Sequence, residues 1–300
     1  MRCSVVVTIV DGGEQLRRCL LALAPQAGSP AVEVLIPCDD TVGDLATIRG
    51  EFPGFRFLPL GALPTLRAPG SPAGQHELID QRRAAALAAS TGDIVALLED
   101  RGVPRPEWIA TLLELHARLP HPAIGGAIDW AGRGVLSWAV YAADFGRSRS
   151  GQPEGPREFL SSCNLSYKRP ALEATRPLWR ERYHETQVHD RIRQDGGMLW
   201  FAPAAVVEQA RTGLGLAPLL AERFAWGRRY AVTRVDRASL WERSIRAVTA
   251  VVLPALLYLR ILLRHAPDTP GQVLRATPAL LLLLSAWSLG EGAGYLTGEP

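Results

Sequence analysis

Acidic side chains stand at the ends of three short apolar runs in this sequence: Asp11 after Val5 to Val10, Asp39 and Asp40 after Val32 to Ile36, and Glu99 and Asp100 after Ile94 to Leu98. If the runs are neighbouring parallel strands, these carboxylates gather at one edge of a sheet, and ligands of open α/β sheets sit at the carboxyl ends of strands. A cluster of acids there suits a ligand site, while any one of them can equally cap a loop.

The elements around these residues must do the positioning. Val5 to Val10 reads as a fully buried strand, and Asp11-Gly12-Gly13 breaks it before a helical pattern from Glu14 to Leu23. Val32 to Ile36 and Phe55 to Leu60 read as further strands. Gly61 to Gly74 reads as a Pro- and Gly-rich loop. An Ala-rich helix from Glu77 to Ser90 stops at Thr91-Gly92, and the next strand runs to Leu98. A helix to about Leu119 and a strand from Ala123 to Trp130 continue the alternation, and Arg147 to Arg157 has loop composition. Strands alternating with helices predict an α/β fold with a mostly parallel sheet covered on both faces.

The chain has 300 residues, 47% of them hydrophobic and 21% charged, which gives a globular composition with an apolar surplus. Its net charge of +3 comes from arginine, Lys168 being the only lysine, and no nucleic-acid partner is expected from so scattered a charge. Arg223, Arg228, Arg229, Arg234, Arg243 and Arg246 form a basic stretch suited to anionic lipid headgroups or phosphates. Cys3, Cys19, Cys38 and Cys163 lack metal-ligand spacing and fit a reducing cytosol.

Two uncharged apolar segments follow, Ala247 to Leu259 and Ala276 to Leu289, each shorter than the roughly 20 residues that cross a bilayer squarely. Trp241, Tyr258, Trp287 and Tyr295 flank or lie in them at positions suited to the headgroup level. An interfacial or re-entrant helical hairpin is the preferred expectation, beside a buried pair of helices and a double span. Attachment to the cytoplasmic face of the cell membrane follows from that expectation.

Taken in order, Ser4 to Asp11, Glu33 to Asp40, Arg83 ahead of Ala88 to Asp100, and His184-Glu185-Thr186 before Arg191 to Gly196 resemble the motifs of family 2 glycosyltransferases with the GT-A fold. The likeness covers residues 4 to 210, and the apolar pair ending in Ser288 to Tyr295 resembles the membrane tail of many members. The resemblance implies a GT-A domain over residues 1–235 and a membrane-associated helical region over 236–300. It also implies an inverting enzyme that moves a sugar from a UDP-, GDP- or dTDP-sugar to a lipid-linked or cell-surface polysaccharide acceptor.

On that likeness Thr8, Val10 and Asp11 support the base and ribose, and Asp39 accepts a hydrogen bond from the base. Arg83 pairs with the diphosphate or orders the acids beside it. Ser162 and Asn164 contact the donor sugar, and Glu185 takes the acceptor hydroxyl's proton. Glu99-Asp100-Arg101 falls where the family has Asp-x-Asp, whose acids hold a divalent metal, Mg²⁺ or Mn²⁺. The third position is basic here, and Gln209 stands where the family commonly supplies a histidine. Three readings stay open: a metal held by Glu99 or Asp100 with the diphosphate, Arg101 neutralising the leaving group itself, or a degenerate enzyme that only binds a nucleotide sugar or partner enzyme. A nucleotidyltransferase is a further alternative, although Asp11-Gly-Gly-Glu14 lacks the basic phosphate loop that it would need.

Overall fold

The computed structural model describes residues 1–211, 213–235 and 238–298. The strands are β1 (Cys3–Thr8), β2 (Val32–Asp39), β3 (Arg56–Gly61), β4 (Ile94–Glu99), β5 (Gly102–Pro104), β6 (Ala123–Trp130), β7 (Gly155–Arg157), β8 (Asn164–Lys168) and β9 (Leu199–Gln209). The α-helices are α1 (Gly13–Leu23), α2 (Ala46–Glu51), α3 (Pro72–Ala89), α4 (Trp108–Arg118), α5 (Val135–Asp144), α6 (Arg169–Ala174), α7 (Arg176–Trp179), α8 (Glu185–Gln194), α9 (Leu216–Val235), α10 (Leu240–Thr249), α11 (Leu253–His265) and α12 (Pro270–Thr297).

The chain divides into two compact units that interleave along the sequence. One comprises residues 1–66, 75–131 and 148–209, and the other 67–74, 132–147 and 210–298 within the described residues. Residues 132–147 and the helix α9 thus group with the C-terminal helices, where the sequence suggests one cut after residue 235. The expected start of the tail, Asp236 and Arg237, lies outside the described residues.

The first unit is built on one sheet of order β3-β2-β1-β4-β8-β6-β9-β5, with β7 also paired to β9. β3, β2, β1 and β4 run parallel, and the reversal comes at β8, which is antiparallel to β4 and β6. Side chains alternate across a strand, so Val5, Val7 and Ile9 pack on one face with Leu16, Leu20 and Leu112. Val6 packs on the other with Leu87, Val188 and Ile192. Both faces of β1 are covered, which is why its sequence reads as an unbroken apolar run.

β1 register places Thr8 opposite Glu99, so the ends of β1 and β4 are level. The chain then turns into α1 through Gly12 at φ 70° and Gly13 at φ 50°, backbone conformations that favour glycine. β2 runs through Pro37 to Asp39, beyond the Ile36 expected as its last residue. Its pairing with β1 ends at Leu35, so the missing proline N–H costs no bond to that neighbour. α3 begins at Pro72 rather than Glu77, inside the expected loop, with the fixed proline φ suited to a first helical turn.

In the second unit α9 and α12 meet backbone to backbone. A Cβ at Gly290 would lie 2.0 Å from the Phe224 carbonyl oxygen, and one at Gly227 2.1 Å from that of Trp287. Such small-residue contacts let two helices approach closely and recur where helices pack in membranes. Arg223 of α9 donates to both carboxylate oxygens of Asp144 on α5. α12 is 28 residues long and apolar enough to cross a membrane, with Pro278 inside it. At 1.5 Å per residue it extends about 42 Å, more than a bilayer core of roughly 30 Å. The uncharged stretch from Ala276 is therefore only part of a longer helix. α10 and α11 are bent by 58° across a short break, so the first apolar segment is split between two helices.

Candidate functional site

All the candidate residues lie in the first unit, and α3 ties most of them together. This helix is buried nearly all round, with Leu78, Ala84, Ala86 and Leu87 in the core, yet it also buries Glu77, Asp80, Arg82 and Arg83. Buried charges must find partners, and of these four Arg82 and Arg83 find theirs at the ends of β2 and β4 and Asp80 at His184 ahead of α8.

Arg82, which the sequence reading passed over in favour of its neighbour, makes the most central connection. Its Nε donates to Asp39 Oδ2 at 2.5 Å, its Nη1 to the Ile9 carbonyl at 2.7 Å and its Nη2 to Thr41 Oγ1 at 2.9 Å. Asp39 Oδ1 also accepts from the backbone N–H and hydroxyl of Thr41. Burial would raise the Asp39 carboxyl, but the Arg82 and Thr41 hydrogen bonds outweigh it and hold the carboxyl below its usual range. Arg82 thereby fixes the end of β1 to the end of β2. The only signal in the sequence is a pair of adjacent arginines on an Ala-rich helix, which does not say which of the two turns inward.

Arg83 donates to Glu99 Oε1 at 2.5 Å. Desolvation would weaken its charge, and the neighbouring carboxylates of Glu99 and then Glu185 more than offset that. The strand-end acid and the α8 acid therefore share one arginine's surroundings, one of the groupings the sequence anticipates. Glu185 is half-buried at the first position of α8, where the helix dipole favours an acid.

Asp80 holds the segment leading into α8. Its Oδ2 lies 3.1 Å from His184 Nδ1 and 3.5 Å from His76 Nδ1, and its backbone carbonyl accepts from the Tyr183 N–H. Burial alone would push the Asp80 carboxyl up; the two imidazoles prevail and hold it far below the usual carboxylate range. Because the folded-state value is depressed, the stabilisation from Asp80 is present above its unfolded value of 3.8 and is lost as pH falls below it. Asp80→Asn should cost about 1–3 kcal/mol at neutral pH, and thermal melts should show the gap to the unsubstituted chain narrowing below about pH 4.

Asp100 is fully buried and serves the β1–α1 turn. Its Oδ2 accepts from the Gly12 N–H at 2.6 Å and the Asp11 N–H at 3.1 Å, satisfying donors at the start of α1, and its own N–H donates to the Thr8 carbonyl. Burial pushes its carboxyl up to about 7 despite the Gly12 hydrogen bond. Arg101, beside it, makes a bidentate pair with Asp11, from Nε at 2.7 Å and Nη2 at 2.5 Å. Thr8 Oγ1, Asp100 Oδ1, Arg83 Nε and Gln209 Oε1 are buried atoms without a hydrogen-bond partner. Val10 is partly exposed in the turn.

Asn164 is bonded within the core. Its Nδ2 donates to the carbonyls of Ala127 and Ala205 and its Oδ1 accepts from Trp108 Nε1, so the amide joins α4, β6 and β9 in the core rather than facing a sugar. Ser162, two residues earlier, is buried before β8, whose first residue pairs with Leu98 near the end of β4.

The expected divalent metal was to be held by Glu99 or Asp100 together with the diphosphate, and the acids by themselves do not make an oxygen cage for it. Magnesium and manganese want several oxygen ligands. Here Arg83 takes one Glu99 oxygen, Arg101 both Asp11 oxygens and the turn one Asp100 oxygen, while Asp100 Oδ1 is buried without a hydrogen-bond partner. No group of three His, Cys, Asp or Glu side chains suited to a metal occurs among the described residues. The side chains alone do not complete the coordination of that ion.

A parallel half in the order β3-β2-β1-β4 and the reversal at β8 make a GT-A type fold. Among solved structures the chain is similar to mannosyltransferase PcManGT from Pyrobaculum calidifontis in complex with GDP-Man and Mn²⁺. That likeness has a TM-score of 0.57 at 13% identity and covers 97% of this chain and 86% of that one. A mycobacterial protein of solved structure matches with a TM-score of 0.48 at 18% identity, over 77% of this chain and 74% of that one. No protein-family model and no curated protein matches the sequence.

Proposed function

We propose that this chain is a family 2 type, inverting glycosyltransferase that works at the cytoplasmic face of the cell membrane, moving a sugar from a nucleotide-sugar donor to a lipid-linked or surface-polysaccharide acceptor. What supports the reading is Arg83, which bonds Glu99 at the end of β4 and is also influenced by the charge of Glu185 at the start of α8, on a fold of GT-A type. The acceptor hydroxyl oxygen attacks the anomeric carbon as the bond from that carbon to the diphosphate oxygen breaks. The nucleoside diphosphate leaves with the electron pair, and Glu185 takes the hydroxyl proton.

Thr8, Val10 and Asp11 line the turn suited to base and ribose. Asp39, its oxygens taken by Arg82 and Thr41 and its side chain without exposed surface, shapes the rim of that turn from beneath rather than meeting the base itself. Ser162 is the donor-sugar contact.

Membrane attachment rests on the second unit. Trp241 is 74% exposed, Val248 72% and Val251 79%, and the outward-facing Leu259, Leu263 and Leu289 add to this apolar surface. A surface of this kind marks a membrane or protein contact, and Arg243, Arg246 and Arg260 suit anionic headgroups beside it.

A thermal-shift screen of the full chain in detergent against UDP-, GDP- and dTDP-sugars tests the donor assignment, since a ligand at 100 times its Kd stabilises by about 2.7 kcal/mol. One nucleotide class should raise Tm, and flat melts with all of them would remove the assignment. Arg101 and Gln209, at positions where the resembled family supplies metal ligands, favour a second reading: a homologue that binds the nucleotide sugar without turning it over. Donor-induced stabilisation with no transfer to any acceptor would support it.

A further inference from the structure

The charge balance at the strand ends differs from that of a cation site. Four carboxylates, Asp11, Asp39, Glu99 and Asp100, face three guanidiniums, Arg82, Arg83 and Arg101, and each guanidinium is hydrogen-bonded to one of the acids. Asp100 is sealed beneath the turn by two backbone N–H groups. What remains is close to neutral, and a hard cation placed there would stand against guanidiniums rather than open oxygens.

The three arginines are not equivalent. Arg82 makes three bonds to the protein and holds the fold. Arg83 is 4% exposed and bonded to Glu99. Arg101 is bonded to Asp11 alone, and that carboxylate is 37% exposed at the mouth of the turn, so the pair can open toward solvent. A guanidinium fork fits a phosphate as it fits a carboxylate, with two parallel N–H donors. Buried Thr8 Oγ1 and Arg83 Nε, both without a hydrogen-bond partner, lie on the flanking elements.

On the donor-site reading given above, we infer that Arg101 binds the donor's diphosphate in place of a divalent cation, exchanging its bidentate contact with Asp11 for one with the phosphate oxygens. Arg83, bonded to Glu99, supplies the second positive charge. In the resting state Asp11 keeps Arg101 in position and neutralised. When the diphosphate arrives, the guanidinium moves to the stronger anion, and the same contact stabilises the charge that develops on the leaving group.

Calorimetric titration of GDP and of UDP into the full chain in detergent tests this, run in excess EDTA and again with Mn²⁺. The expected result is equal affinity in both conditions for whichever nucleotide binds. Arg101→Met should weaken that binding by about tenfold or more, as loss of a charge-assisted hydrogen-bond pair does. Arg101→Lys should keep part of it, and its melting temperature shows whether the fold is intact. Binding that appears only with Mn²⁺, or an Arg101→Met chain that is folded and binds as well as the original, overturns the inference and leaves the donor site standing. If neither nucleotide binds in either condition, the donor-site reading fails and the role of Arg101 fails with it.

Discussion

Replacing Glu185 by Gln should lower glycosyl transfer by about two to four orders of magnitude while nucleotide-sugar affinity stays within a factor of a few. Glutamine keeps the shape and hydrogen-bonding reach of the side chain but cannot accept the acceptor's proton, so the loss falls on kcat and not on donor binding. The half-buried position at the start of α8 matters here, because the preceding His184 is anchored to Asp80 and the charge of Arg83 acts on the same surroundings. Undiminished turnover in Glu185→Gln would remove this residue from the chemistry. A loss of donor affinity equal to the loss of activity would instead assign it to the binding of the leaving group.

Arg82→Met should be the most destabilising single change at the site. It strands Asp39, a carboxylate with no exposed surface, without its counter-charge and cuts the tie between the Ile9 carbonyl and β2. Breaking a buried pair by removing one partner costs about 3–5 kcal/mol, which in a unit of this size corresponds to a fall in Tm on the order of 10 °C. The double change Arg82→Met with Asp39→Leu should recover part of that loss, because no buried charge is then left unpaired. It should not recover nucleotide binding, since the ties from Arg82 to the Ile9 carbonyl and to Thr41 that shape the edge are still missing. Melts and donor titrations on the three variants separate these effects. A single Arg82→Met chain as stable as the original would mean that Arg82 does not hold the edge together.

Much of this architecture is visible in the sequence because it is local. The apolar runs ending in Asp11, Asp39 and Glu99 become β1, β2 and β4 in parallel, and Ala123 to Trp130 becomes β6 residue for residue. Glu185 falls at a helix start because its sequence neighbours carry the helical pattern. Residues whose partners are distant in the chain are harder to place. Arg82 and Arg83 are indistinguishable by type, and only the meeting of β1 with β2 decides that one braces Asp39 while the other faces Glu99. Asn164 reads, on the resemblance, as a contact to the donor sugar, whereas its partners at Trp108, Ala127 and Ala205 come from three other elements. The acids Glu99 and Asp100 are adjacent in sequence, but strand alternation sends them to different tasks, one to Arg83 and the other beneath the Gly12 turn. The interleaved units have the same origin, since α5 joins α9 and α12 by packing that no linear boundary contains.

The central claim is that a nucleotide sugar sits on the edge formed by β1, β2 and β4. Hydrogen exchange on the full chain in detergent, with and without GDP-, UDP- and dTDP-sugars, tests it directly, because bound ligand slows opening of the backbone it covers. One donor should protect residues 8–13, 39–42 and 99–101 together, with smaller changes at the start of α8. Protection confined to other segments, or none with any of the three donor classes, would contradict the account.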